Sequence, residues 1–303
     1  MVAAAGPHAE RILDLWWITL AICLVVFAAV LIGFLLALRK GLRGTGMAAR
    51  PHVPVAAALA VSGLLLLVVV FLSFGTDRAL ATLGGEDALK IEVTAHRWWW
   101  EVRYMDPEPS RIFTTANELT IPVGRPVELT LRSDDVIHSF WVPNLGGKKD
   151  MIPGRTTTLR LRADKAGTYR GQCAEFCGVQ HAKMALLVNA SEEYEKWAEA
   201  QRSSAPEPGS DEEKRGRELF LNGTCAMCHA IRGTPANGRR APDLTHFASR
   251  QTLAAGTVPN TRGYLAGWII DPHSIKPGVN MPAHSTLSPS DLHALLAYVG
   301  MLK

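Results

Sequence analysis

The chain has 303 residues, 48% of them hydrophobic, and a formal net charge of +4, enough for two or three folded units. Part of that charge sits in one short basic link, so it does not describe a partner surface. No Gly-rich phosphate loop, Ser-His-Asp set or basic aromatic patch is evident, which counts against nucleotide, hydrolase and nucleic-acid functions.

Residues 1–80 read as a transmembrane hairpin. Ile12 to Leu38 and Val53 to Phe74 are almost wholly apolar, and each is long enough as a helix to cross the roughly 30 Å hydrocarbon layer. The link between them carries Arg39, Lys40, Arg43 and Arg50 and no acidic residue. The positive-inside rule therefore puts the link in the cytoplasm, and the N-terminus and everything after Phe74 outside. The first run is too long for a signal-peptide core, and Glu10 and Asp14 stand where a basic leader belongs. Cys23, alone in that span, reads as a small apolar residue.

Residues 89–190 read as β. Strand-like runs cover Lys90 to Tyr104, Glu118 to Val123, Pro126 to Arg132, Ile137 to Val142, Thr156 to Arg162, Gly167 to Gln172 and Met184 to Asn189. Gly84-Gly85 and Gly146-Gly147 read as turns. Short strands at this spacing predict a β-sandwich or Greek-key barrel. Residues 191–210 form a short helix, with Ser191 as its cap, and then a Pro-containing linker. Residues 211–303 are helical: a capping box at Ser210 and Glu213, a helix over Thr261 to Ile270 stopped by Asp271-Pro272, and a last helix over Asp291 to Met301, opened by Ser288-Pro289 with the proline in its first turn.

Two motifs carry the chemistry. Cys173, Cys177, His181 and Met184 fall within twelve residues, and His138 lies upstream beside apolar strand residues. Soft sulfur with imidazole suits copper, and a second thiolate suits two copper ions sharing bridging sulfurs. The Glu175 carbonyl, inside the loop, is a candidate weak ligand. Structural disulfides are the competing reading of paired cysteines in an exported domain. The second motif, Cys225-Ala-Met-Cys228-His229, is the form of covalent haem attachment, with thioether links at Cys225 and Cys228 and His229 on the iron. Met281, after a proline-glycine loop, is the candidate opposite ligand, with His284, His273 and His246 as alternatives.

The chain resembles subunit II of the haem-copper cytochrome c oxidases, and the second domain makes it similar to the caa-type branch. The C-x-E-x-C-x-x-x-H-x-x-M loop matches that family's CuA loop at each ligand position. The resemblance implies a multidomain chain: a two-helix hairpin, an all-β cupredoxin-like Greek-key barrel and an all-α cytochrome c domain. It implies Cys173 and Cys177 bridging a dinuclear copper centre, His138 and His181 each on one copper, and Met184 and the Glu175 carbonyl as weak ligands. The Glu175 carboxylate would also help hold a magnesium ion against subunit I. His96-Arg97-Trp98-Trp99-Trp100 resembles the H-Q-W-Y-W segment through which electrons enter, which points to Trp98; three packing tryptophans are the other reading. Asp150 to Arg155 resembles the D-x-I-P-G-R turn near subunit I.

The implied function is the electron-transfer subunit of an aerobic terminal oxidase in a bacterial plasma membrane, with both metal domains on the periplasmic or extracellular side. Electrons would pass from cytochrome c, or another respiratory donor complex, through haem c and CuA to the haems and CuB of subunit I. There oxygen becomes water with proton pumping, and no group on this chain performs that oxygen chemistry. Subunit III and membrane lipid are further implied partners; nucleic acid is not. A nitric oxide reductase subunit with the same metals, and a tethered copper carrier, are the alternatives.

Overall fold

The protein is described by a computed structural model covering residues 3–42, 52–81 and 87–303. Arg43 and Arg50 of the basic link, and the Gly84-Gly85 turn, lie outside the described residues. Two compact units are present, residues 8–83 and residues 1–7 with 84–303.

The first unit holds helices α1 (Pro7–Leu42) and α2 (His52–Ala81). Both exceed the predicted runs at each end, and their apolar stretches of 33 and 29 residues pass the length a membrane span needs. Phe27 and Phe71 are 66% and 73% exposed, a surface suited to lipid rather than water.

In the second unit two five-stranded sheets face each other. The first, in the order β3-β2-β1-β5-β8, is built from β1 (Leu89–His96), β2 (Trp99–Tyr104), β3 (Phe113–Ala116), β5 (Val127–Ser133) and β8 (Thr157–Leu161). The second, in the order β4-β10-β9-β6-β7, is built from β4 (Glu118–Pro122), β6 (His138–Trp141), β7 (Lys149–Met151), β9 (Gly167–Cys173) and β10 (Ala185–Ser191). Period-two alternation in β1 turns Ile91, Val93 and Ala95 inward, where they meet Trp100, Leu129, Ile121, Phe140 and Val188. Each large apolar side chain buried this way contributes about 1.5–3 kcal/mol. This is the expected cupredoxin-like β-sandwich.

The run read as one strand from Lys90 to Tyr104 is instead the antiparallel pair β1 and β2, with Arg97 and Trp98 in the turn. Trp98 is therefore a turn residue, and Trp99 and Trp100 lie on β2. Ahead of α1, the Ala5 N–H donates to the Asn144 carbonyl at 2.8 Å, and the Asp164 N–H donates to the Ala5 carbonyl at 2.8 Å. Asn144 also donates to the Ala3 carbonyl. Gly6 is needed beside them: a Cβ there would stand 2.0 Å from the Arg162 carbonyl oxygen.

Strand β10 continues through Ser191, paired with Pro122, so the following helix α3 (Tyr194–Arg202) starts later than expected. Glu193 is its N-cap, with no side-chain cap, in place of Ser191. The cytochrome region has α4 (Asp211–Asn222), the single turn α5 (Cys225–Cys228), the strand pair β11 (Thr252–Leu253) and β12 (Val258–Pro259), α6 (Arg262–Ile270), the short α7 (Pro272–Ile275) and α8 (Pro289–Met301). Ser210 and Glu213 form the expected capping box at α4, and Thr261 caps α6. Helix α8 is opened by Ser288 and Pro289 as expected, with Ser288 as its cap and the proline in its first turn, and so begins two residues before Asp291.

Helices α4 and α8 cross at Gly216, where a Cβ would be 2.0 Å from the Ala294 carbonyl oxygen. Phe220 and Tyr298 pack edge to face beside that crossing, 5.9 Å between ring centres.

Candidate metal centres

Strands β6 and β9 are neighbours, with Phe140 opposite Cys173, so His138 at the start of β6 and Cys173 at the end of β9 reach the same end of the sandwich. The loop from Ala174 to Met184 then folds back before β10. The Cys173 N–H donates to the Met184 carbonyl at 2.9 Å and the Ala174 N–H to the Ser139 carbonyl at 3.0 Å, which closes the loop at its base. Gly178, at φ 111°, lies on the Trp98 ring; a Cβ there would be 3.1 Å from Trp98 Cζ2 and strained besides.

This loop brings the predicted donors together. Cys173 Sγ and Cys177 Sγ are 3.8 Å apart. His138 Nδ1 is 3.7 Å from the first sulfur and His181 Nδ1 3.5 Å from the second. Met184 Sδ stands 3.8 Å from Cys177 Sγ, and the Glu175 carbonyl oxygen 3.3 Å from Cys173 Sγ. His138, Cys173, Cys177 and Met184 are buried. No disulfide joins any of the five cysteines, and a sulfur separation of 3.8 Å between Cys173 and Cys177 is far beyond the roughly 2.05 Å of a disulfide.

The electrostatics fit a soft cation. The hydrogen bond from Cys177 draws the Cys173 thiol well below its ordinary range against the opposing effect of burial, while the Cys173 contact and then burial push Cys177 up. Two sulfurs this close cannot both carry charge unless a cation lies beside them. Burial alone would lower His138, but Cys173 and Asp135 together raise it. Asp135 Oδ1 lies 2.8 Å from His138 Nε2, which fixes the ring so that Nδ1 faces the sulfurs. A carboxylate behind a histidine in this manner is the usual support of a metal ligand. The sequence reading missed Asp135; its signal is a carboxylate three residues before the histidine, in Asp134-Asp135-Val136-Ile137-His138.

Trp98 is buried, and its Nε1 donates to the Cys177 carbonyl at 2.9 Å. The Glu175 side chain is half-buried, and its Oε1 accepts from the Phe176 N–H at 3.3 Å. Asp150 lies on β7, where its carbonyl accepts from Thr157 Oγ1, and Arg155 N–H closes the following turn on the Ile152 carbonyl at 3.0 Å.

In the second domain an apolar cleft is lined by Phe220, Cys225, His229, Trp268, Met281 and His284, among others. Cys225 and Cys228 stand on α5, and the His229 N–H continues that turn onto the Cys225 carbonyl at 2.9 Å. His229 Nδ1 lies 2.7 Å from the Pro242 carbonyl oxygen, leaving Nε2 to serve a metal. Burial lowers the His229 value, so the ring is neutral and able to ligate. Close by, a Cβ on Gly238 would meet the Cys228 carbonyl carbon at 2.4 Å, so glycine is required where the chain passes the attachment turn. Of the candidate opposite ligands, Met281 and His284 line the cleft; His246 instead contacts the Ser203 carbonyl oxygen, and His273 Nδ1 accepts from the Gly278 N–H.

A sulfur-and-imidazole cluster at one end of a β-sandwich, joined to a C-x-x-C-H helical domain behind two apolar helices, defines a two-domain redox protein with a membrane anchor. Residues 89–191 match the family described as cytochrome c oxidase subunit II, periplasmic domain, and residues 213–303 match cytochrome c. Cytochrome c oxidase subunit 2 of Alkalihalophilus pseudofirmus is 39% identical over 221 residues, covering 72% of this chain and 63% of that one. The subunit 2 of Bacillus subtilis is 35% identical over 230 residues with the same coverage. A crystal structure of the periplasmic domain of subunit II of cytochrome oxidase from Bradyrhizobium japonicum shares 30% identity, covering 40% of this chain and 97% of that one, with a TM-score of 0.37. The chain thus carries the periplasmic domain of the cytochrome c oxidase subunit II family followed by a cytochrome c domain, and is similar over most of its length to curated subunit 2 proteins. It spans 63% of the length of those two curated relatives. The two families imply a copper centre in the first domain and haem c in the second.

Proposed function

We propose that this chain is the subunit of an aerobic terminal oxidase that relays electrons from a respiratory cytochrome c toward subunit I, where oxygen is reduced to water with proton pumping. The observation that supports it best is the buried cluster of two thiols, two imidazoles, a thioether and a carbonyl, with contacts of 3.3–3.8 Å, in one compact unit with the haem-attachment turn. A dinuclear copper centre and haem c would supply reversible one-electron carriage.

The chain's own residues position and insulate. Cys173, Cys177, His138, His181, Met184 and the Glu175 carbonyl would hold the copper centre. Asp135 holds the His138 ring, and the closed loop base keeps the donors in one arrangement through a redox cycle. Cys225 and Cys228 would anchor haem c, and His229 and Met281, which line the same cleft, would hold its iron. Trp98, whose Nε1 donates to the Cys177 carbonyl, would be the entry point for electrons, a role that this bond supports. The Glu175 carboxylate would share a magnesium ion with subunit I. Subunit III and lipid would surround the hairpin, with both metal domains on the periplasmic or extracellular face of the plasma membrane.

The test is purification of the complex from membranes, with metal analysis, electron paramagnetic resonance and gas consumption. The expected result is a mixed-valence copper signal lost in Cys173→Ser while the haem c spectrum survives, with oxygen consumed on addition of reduced cytochrome c. Nitric oxide consumption without oxygen consumption, or a Cys173–Cys177 disulfide in the mature complex, overturns it.

A further inference from the structure

The loop that leads from α7 to Met281 does not hang free over the haem cleft; it is fastened to the candidate copper loop. Lys276 is 1% exposed, and its Nζ donates to the Trp98 carbonyl at 2.7 Å and to the Ala254 carbonyl at 2.9 Å. On either side of it the contacts run the other way. Gln180 Nε2 donates to the Pro277 carbonyl at 2.7 Å, and Lys183 Nζ donates to the Ile275 carbonyl. Val279 packs on the same apolar cluster as Trp98, Cys177 and Met184, and a Cβ on Gly278 would touch Val179 at 3.4 Å. Three consecutive residues, Ile275 to Pro277, thus grip the segment Gln180 to Lys183 and the Trp98 turn together.

An amine at this depth is unfavourable in itself. Burial pushes Lys276 down to about 7, with Cys177 acting the other way and Lys183 in the same sense. A methionine would fill the same space without that desolvation. What the amine adds is a directional tie, and its acceptors are the carbonyl of the tryptophan that bonds Cys177 and a carbonyl of the cytochrome domain itself.

We infer that Lys276 is a positioning residue that locks the Met281 loop onto the Trp98 turn beside the copper-ligand loop, so that electrons pass from the cytochrome domain into the β-sandwich at one fixed place, Trp98, whose ring bonds Cys177. This rests on the relay function proposed above.

The test uses Lys276→Met in the full membrane complex. The expected result has three parts. Copper and haem c spectra match the unsubstituted complex. Amide hydrogen exchange in residues 272–281 and 178–184 rises about tenfold or more, the consequence of losing two buried hydrogen bonds. Electron transfer from photoreduced haem c into the copper centre slows. Unchanged exchange and unchanged transfer rate together overturn the inference. If Lys276→Met does not assemble, the double variant Gln180→Ala and Lys183→Ala, which removes the two outward ties, must raise exchange and slow transfer in the same way, and failure to do so overturns it equally. Absence of a copper or haem c signal from the unsubstituted complex would refute the relay function, while the exchange measurement still decides whether Lys276 locks the two loops.

Discussion

A single carboxylate shows how finely the cluster depends on its supports. Asp135 touches no sulfur, yet at 2.8 Å from Nε2 it decides which nitrogen of His138 faces them. It also accepts from the Arg97 N–H at 2.6 Å, tying the ring to the turn that carries Trp98. Replacing it with asparagine keeps the shape and removes the charge. The expected outcome is a copper affinity lowered roughly 10–100-fold, the usual effect of losing such a support, with the haem c spectrum unchanged. Copper titration followed by optical absorption checks it. Glu118 makes the second residue-scale case. Its Oε1 accepts from the Gln251 N–H at 2.7 Å and from the Thr252 N–H and hydroxyl at 3.0 and 3.2 Å, joining the β-sandwich to the cytochrome domain. Burial raises its value above the ordinary 4.5, against the hydrogen bonds that lower it. The folded state therefore holds this proton more tightly than the unfolded chain does. Its contribution is fully present below the ordinary value and declines as pH rises through the raised one. Glu118→Gln can keep the acceptor without the charge, so its thermal midpoint should gain on the unsubstituted protein between about pH 4 and about pH 7. A constant difference across that range would refute the assignment.

At the level of elements, the sites were legible in the sequence where chemistry is local and obscure where it depends on pairing. Cys173, Cys177, His181 and Met184 announce themselves by spacing, and the structure brings His138 to them because β6 lies beside β9. The capping box at Ser210 and Glu213 was equally plain, since both partners lie within one turn. Strand β7 was invisible because three residues, Lys149 to Met151, have no pattern of their own and extend only against β6. The Ser191 cap was misread for a related reason. Serine before acidic residues suits a helix start, but the ladder with β4 holds Ser191 in the sheet. Lys276 carried no signal at all, because a lysine in a loop reads as solvated until a fold buries it. The crossing of α4 and α8 gives a sharper expectation. Gly216→Ala would force a methyl against the Ala294 carbonyl, and overpacking of this kind costs about 1–3 kcal/mol or more where backbone must move. Calorimetry of the complex should show the cytochrome region melting earlier while the copper signal persists to its usual temperature. Ser210→Ala, which removes only the cap, should cost about 1 kcal/mol.

The molecule as a whole joins two domains by buried polar contacts rather than by the linker alone. Half-buried Arg232 donates to the Arg202 carbonyl at 2.7 Å and to the Ile112 carbonyl at 3.1 Å, and buried Arg250 reaches Thr115 Oγ1 at 3.3 Å. The segment from Ser203 to Ser210 is largely exposed and irregular. A protease cut there should leave the cytochrome fragment bound, and co-elution of both fragments on gel filtration checks it. Release on cutting would show that these contacts contribute little.

The short stretch ahead of α1 has a larger consequence than its length suggests. Ala3 and Ala5 are stitched to Asn144 and Asp164 of the β-sandwich. In the topology proposed above, that tie requires the two ends of the hairpin to share a compartment, which means an even number of bilayer passes. A cysteine introduced at Ala3 should react with a membrane-impermeant maleimide from the same side as one introduced at the exposed Ser204. Opposite accessibility would mean an odd number of passes.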